Sequence, residues 1–324
     1  MAPPATNEAK PDRRGPIYQV GDSQIRTGTC SWTDPTLVKE TDWYPKKTMT
    51  AAERLAFYAR HFSLVEADST YYRPPGEQLT RGWADRSPAG FRFNIKAYSL
   101  FTHHPTQPDT LWPDIREAIK PEFQDKRNVY AEHLDPDALA EAWARFGQAL
   151  RPLQSADRLG AVLLQYPTWF TPKRANRDEL AALRHYLPDV PLAIEFRSPR
   201  WLAEDDRDRT LSVLRDHQLT LVVVDAPPVS QLPSVVEVTS SDLAVVRFHG
   251  RADDTWNKRD ISAAERFRYL YSRDELHGWL PNVQRLADQA AEVHVLMNNC
   301  YQDYGARNAA ELGELLAEEG AVAS

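Results

Sequence analysis

The chain has 324 residues, 42% hydrophobic and 26% charged, with a formal net charge of −7. That is ample apolar material for one large α/β domain or two ordinary ones, and no apolar run approaches the ~20 residues that span a bilayer. The negative total excludes a global attraction for nucleic acid or anionic membrane, leaving only a local basic pocket for such ligands, while two cysteines argue against a disulfide framework and for a reducing, cytoplasmic setting.

The opening stretch MAPPATNEAKPDRRGP lacks the apolar centre of a secretory signal. Its Pro, Lys and Arg content predicts a disordered tail within residues 1–20, ahead of a single domain over 21–324. The first strand is QIRTGTCSW (24–32), followed by an aromatic loop and the helix TAAERLAFYARHF (50–62). LVEADS (64–69) is the second strand, and a short helical segment at 77–83 leads to the third, FRFNIK (91–96). A long excursion over 98–157 contains the helix PDALAEAWARFGQALRPL. GAVLLQYP (160–167) is the fourth strand, and RDELAALRHYL (177–187) has helical spacing at Leu180, Leu183 and Leu187. LAIEFR (192–197), TLVVVD (220–225) and AVVRFH (244–249) are the fifth to seventh strands, with the helix DRTLSVLRDH (208–217) between the first two. A second excursion, 250–292, holds DELHGWLPNVQRLADQAAE, where Pro281 predicts a kink or a break. VHVLMN (293–298) is the eighth strand, and the last helix begins at Asn308.

Short, nearly continuous apolar runs alternating with helices imply a buried parallel sheet. Eight such units point to a single closed (β/α)₈ barrel of the TIM type, with long loops after the third and seventh strands. The absence of a Gly-x-Gly-x-x-Gly turn after the first strand argues against a doubly wound dinucleotide fold.

Strand side chains alternate between faces. The inward ends read Glu66 and Asp68, Asn94 and Lys96, Gln165, Glu195 and Arg197, Asp225, Arg247 and His249, then Asn298. Two readings stand side by side: a ring of structural ion pairs such as Glu195 with Arg247 or Glu66 with Lys96, or a functional site at the strand C-termini. Lys96, Arg197, Arg247 and His249, with Arg251 just beyond, suit a phosphate or carboxylate. Glu66, Glu195, Asp225 and His249 are candidates for proton transfer, or for holding a divalent ion, although no His-Glu-x-x-His motif occurs. Trp32, Tyr71, Tyr72, Trp169, Trp201, Trp256, Tyr301 and Tyr304 crowd the same loops, as packing or as stacking surfaces for a sugar or nucleobase. His103 and His104 follow the third strand, within reach of the mouth or simply on the surface. Closure would bring Cys30 and Cys300 together on neighbouring strands, either as a reactive pair or as two inert thiols.

The motifs GTCSW, EADSTYYRPP, GFRFNIKA, LLQYP, AIEFRSPRW, VVRFHGR, YLYSRDEL and NNCYQDYGARNAAEL, in that order, resemble the YecE-like family, a domain-of-unknown-function group. The resemblance runs from about Gly28 to Leu312. It implies a TIM-type barrel with a charged pocket at the strand C-termini, and supplies no reaction. Gly28, Ser69, Thr70, Arg73, Trp201 and Gly250 match its pattern, as do the site residues named below. Cys30 and Ser31 stand where it commonly has Ser and Gly, Asp68 where Asn is frequent, and Ser198 and Cys300 where His is frequent.

The expected catalytic set is Glu66, Glu195, His249 and Asp225. The expected ligand-binding set is Trp32, Tyr72, Lys96, Gln165, Arg197, Arg247, Asn298 and Asn299. The leading expectation is an enzyme (hydrolase, lyase or isomerase) for a small phosphorylated or otherwise anionic ligand, without a resident cofactor, a metal ligand set or a membrane partner. One alternative is a divalent-metal-dependent barrel of the xylose isomerase or endonuclease IV type, on which a nucleic-acid substrate would require a basic groove. The other is a non-enzymatic small-molecule binder.

Overall fold

The β-branched and aromatic runs form ten strands in the computed structural model, which describes residues 14–258 and 260–324. They are β1 (Tyr18–Val20), β2 (Ser23–Thr29), β3 (Leu64–Ala67), β4 (Arg92–Lys96), β5 (Leu159–Tyr166), β6 (Leu192–Phe196), β7 (Leu219–Asp225), β8 (Leu243–Phe248), β9 (Glu292–Met297) and β10 (Val322–Ala323). β2 to β9 pair in parallel and in sequence order. The ring closes where Gln24 to Thr29 of β2 run beside Glu292 to Met297 of β9. This is the expected single (β/α)₈ barrel, with its long connections after β4 and β8.

β1 and β10 form an antiparallel annex, with Tyr18 opposite both Ile25 and Ala323. They correct the N-terminal boundary. Residues 1–13 of the expected tail lie outside the described residues, but Ile17 and Tyr18 are buried and β1 is paired on both edges. The apolar pair in PIYQV finds cover from a strand at the far end of the chain, which composition does not show.

Alternation divides the barrel into two apolar layers. Ile25, Val65, Phe93, Val162, Ile194, Val223, Val246 and Val295 face the surrounding helices and join the main core. Leu64, Ala161, Leu163, Ala193, Val222, Val245 and Leu296 fill the bore. Below them, at the strand N-termini, a polar plug seals the barrel. Arg26 is paired with Glu292, and His294 bridges Asn94 (2.9 Å) and Glu292 (3.1 Å). Asn94 therefore belongs to the lower plug and not to the mouth, because it lies two residues before Lys96 on β4 and one layer deeper.

Helix ends follow local chemistry. The helix Ala51–Tyr58 opens with a capping box between Thr50 and Glu53. Pro281 sits in the first turn of the helix Leu280–Ala287, separated from Arg273–His277, so the proline makes a break rather than a kink. The last helix begins at Tyr304, and Asn308 is buried inside it, exchanging hydrogen bonds with the Tyr271 backbone. Among the described residues, no helix is long and apolar enough to cross a membrane.

Candidate active site at the C-terminal mouth

Three strands, β3, β6 and β8, deliver charged side chains to one point above the apolar bore. Arg247 on β8 is fully buried and forks, one terminal nitrogen donating to Glu195 on β6 and the other to Glu66 Oε1 on β3 at 2.6 Å. The same second nitrogen lies 3.5 Å from the Cys30 sulfur. Burying an arginine between two carboxylates is tolerable because each carboxylate takes a charge-assisted hydrogen bond from its own terminal nitrogen of the guanidinium. Arg247 thus holds the site together through both terminal nitrogens, and only its buried Nε is left without a hydrogen-bond partner.

Around this clamp the groups differ in how fully they are satisfied. Glu195 Oε1 lies 2.6 Å from Arg197 Nε and 3.3 Å from His249 Nε2. His249 Nδ1 accepts from the Asn298 side-chain amide at 2.7 Å, which leaves its proton on Nε2 to face Glu195. Burial and the nearby Arg197 push the His249 pKa down to about 3, so the ring is neutral. Glu195 is held well below the usual carboxylate range: burial opposes ionisation, but Arg197, Arg247 and His249 together outweigh it.

Glu66 behaves in the opposite way. It is completely buried, and burial lifts its pKa to about 7 although Arg247 pulls it down. Asp68, two residues on, repels its charge and hydrogen-bonds its protonated form. Glu66 Oε2 is buried without a hydrogen-bond partner, so the charge of this carboxyl is poorly compensated on that side. Asp68 in turn lies 3.2 Å from Lys96 Nζ and is partly exposed. The chain Glu66–Asp68–Lys96 therefore leads from the buried clamp to the solvent side of the mouth.

The mouth has aromatic walls. Lys96 Nζ lies 5.0 Å from the Tyr71 ring centre, and the Arg197 guanidinium 5.4 Å from that of Trp256. Tyr72, Tyr71, His104 and Trp169 form a line of rings with successive centres 5.0, 5.3 and 6.0 Å apart. Burial first, then Lys96 and Arg197, lower the His104 pKa to about 4, so this ring is neutral as well. Gln165 reaches towards Arg197 at 3.5 Å.

Among the expected site residues, Glu66, Glu195, His249, Arg247, Arg197 and Asn298 are brought together, with Lys96, Gln165 and Tyr72 at the rim. Asp225 is a correction. It lies on the helix-facing side of β7, with Val224 inside, and accepts from Arg251 (2.6 Å), Tyr271 (2.6 Å) and the Trp279 indole (2.7 Å). It anchors the connection after β8, and it uses Arg251 to do so. Trp32 is also displaced, packing edge-on against Trp83 and Phe93 in the outer core. The Asn299 amide is spent on the Tyr269 carbonyl and on Asn308. In each case the side chain falls on the wrong face or finds a buried partner from a distant segment. The expected site set leaves out Asp68, whose i, i+2 spacing from Glu66 puts both on one face of the chain and whose charge helps raise the Glu66 pKa. The sequence also leaves His104 undecided. His103 turns the other way, to Glu179 at 2.7 Å. Cys300 Sγ is 3.6 Å from the Cys30 carbonyl oxygen, and burial pushes both thiols well above their ordinary value, so neither is a ready thiolate. Among the described residues, no group of three or more His, Cys, Asp or Glu is disposed to hold a metal ion.

Residues 26–324 match the family model described as a protein of unknown function, DUF72. The chain belongs to this family. The UPF0759 protein YunF of Bacillus subtilis is 28% identical over 297 residues, covering 90% of this chain and 94% of that protein. The UPF0759 protein YecE of Escherichia coli K12 is 28% identical over 191 residues, 57% of each chain. Two DUF72 crystal structures share the barrel at 29% identity. The protein from Enterococcus faecalis aligns with a TM-score of 0.72, covering 90% of this chain and 95% of its own, and that from Thermotoga maritima with 0.71, covering 90% and 99%. The YecE-like resemblance of the motifs and the DUF72 match describe the same relationship.

Proposed function

We propose that this DUF72 chain is an enzyme that moves a proton on a small anionic ligand bound at the C-terminal mouth of the barrel, as a hydrolase, lyase or isomerase. The observation that carries this reading is the Glu66 carboxyl, fully buried with one oxygen held by Arg247 and the other without a partner, where burial pushes its pKa up to about 7. Asp68 connects it to the mouth, and Lys96 stands beside Asp68 to receive an anionic group. Arg197 supplies the second cation, leaning on Trp256. Glu195 is not the proton carrier here, because its carboxylate is held ionised by Arg197, Arg247 and His249. The neutral His249 orients Glu195 and does not itself exchange protons near pH 7.

This division of labour also weighs against the metal-dependent alternative. The carboxylates that would ligate an ion are held by arginines: Glu66 and Glu195 by Arg247, and Asp225 by Arg251.

The test is a thermal-shift screen of phosphorylated and carboxylated metabolites, followed by a turnover assay on each hit. Glu66→Gln is expected to keep ligand binding while lowering kcat by about 10²–10⁴-fold. Undiminished turnover in that variant would remove Glu66 from the mechanism. A hit that stabilises the protein and is never transformed would favour the non-enzymatic binder.

A further inference from the structure

The line of rings beside the two cations says something about the rest of the ligand. Tyr72 and Trp169 end that line and are 67% and 59% exposed, the most exposed aromatic side chains among the described large hydrophobic residues that stand out in solvent. Leaving two large rings in water at the barrel mouth forgoes the burial that other tryptophans in this chain achieve, such as Trp201 at 0%. The inner members, Tyr71 and His104, are half-buried and packed edge to face, so the outer two are held in place from behind. The inner rings link them to the cationic side of the mouth: Lys96 Nζ lies 5.0 Å from the Tyr71 ring centre, next in line to Tyr72.

We infer that the ligand combines its anionic group with a flat aromatic ring, in the manner of a nucleoside monophosphate, the ring stacking on Trp169 or Tyr72 while Lys96 and Arg197 hold the phosphate. The inference rests on the anion-binding reading above and adds the substrate class to it. A sugar ring also stacks on aromatic faces, but its hydroxyls need polar partners or their desolvation is uncompensated. Two polar atoms at the rim are already engaged, Gln165 Oε1 with Arg197 at 3.5 Å and His104 Nδ1 with Thr102 at 3.0 Å, which leaves fewer partners for sugar hydroxyls. A flat heteroaromatic ring makes little such demand on the rim.

The experiment is isothermal titration calorimetry of the full chain with adenosine 5′-monophosphate, uridine 5′-monophosphate, ribose 5-phosphate and inorganic phosphate. It is repeated on Trp169→Ala/Tyr72→Ala and on Lys96→Gln. The expected result is that at least one nucleotide binds about tenfold or more tighter than ribose 5-phosphate. The aromatic double variant should erase that difference while leaving the sugar phosphate unchanged, and Lys96→Gln should weaken both. Equal binding of ribose 5-phosphate and both nucleotides would overturn the ring inference and leave the anion site standing. No binding by any of the four phosphates would count against the anion site and the ring inference together. Because both rim residues are exposed, the double variant is expected to fold; circular dichroism and an unchanged melting temperature check this.

Discussion

At the scale of single residues, Ser31 shows how the loop after β2 is forced. Its φ is +137°, a region that favours glycine, and the resemblance places glycine at this position. Its hydroxyl repays part of the cost by accepting from the Thr33 amide at 3.0 Å. Ser31→Gly is expected to stabilise the fold by about 1 kcal/mol, read as a higher midpoint in urea. An unchanged or lower midpoint would show that the Ser31–Thr33 bond outweighs the strain. The same scale explains why Asp225 misleads in the sequence. It follows an apolar strand as Glu195 and Arg247 do, but it is one position out of phase, and phase alone decides between the bore and the helix layer.

Between elements, two features hold the mouth in shape. The first is the narrow seam of β2 and β3, which pair only at Gly28–Leu64 and Thr29–Val65. The Tyr58 hydroxyl stitches this seam, accepting from the Thr29 amide at 2.8 Å and donating to the Leu64 carbonyl at 3.0 Å. A Cβ on Gly28 would stand 2.0 Å from the Leu64 carbonyl oxygen, a backbone atom that cannot step aside. Gly28→Ala is therefore expected to cost about 3 kcal/mol in chemical denaturation. The second feature is the Arg247 clamp across β3, β6 and β8. Arg247→Met leaves buried Glu66 without its cation and Glu195 with Arg197 alone, and is expected to cost about 3–5 kcal/mol. Adding Glu66→Gln and Glu195→Gln should recover part of that loss, since the penalty arises from unpaired charge and not from lost packing. If the triple variant were no more stable than Arg247→Met, the clamp would be acting through shape alone.

Across the whole molecule, buried titratable groups set the response to pH. His61, His104, His249 and His294 all have pKa values lowered chiefly by burial. Each is neutral in the fold and takes up a proton on unfolding below about pH 6.5. Their stabilisation is present above that pH and is lost as pH falls towards the folded-state values. Glu66 has the opposite sign. Its folded pKa of about 7 exceeds the unfolded value, so its contribution is complete in acid and is lost as pH rises through 7. His103, raised by Glu179, has this second sign too. The melting temperature is expected to fall from pH 7 to pH 4.5, and to fall more steeply in Glu66→Gln, which lacks the opposing term. Parallel profiles would show that Glu66 is ionised in the folded protein.

The strands and their closure into a barrel were legible because a buried parallel strand needs an apolar run of fixed length, and eight such runs alternate with helical patterns. Alternation within LAIEFR and VVRFHG likewise placed Glu195, Arg197, Arg247 and His249 in the bore, where the fold keeps them. Partnership was not legible. Arg247 could have faced a ligand, and it joins two acids 181 and 52 residues away. Glu66 looked like any strand-end acid, and only enclosure beside Asp68 raises its pKa. The sequence by itself determined which side chains enter the barrel, because periodicity is a local property of the chain. The tertiary structure decided which of them are spent on one another and which are left poised, because desolvation and pairing depend on groups that sequence distance does not relate.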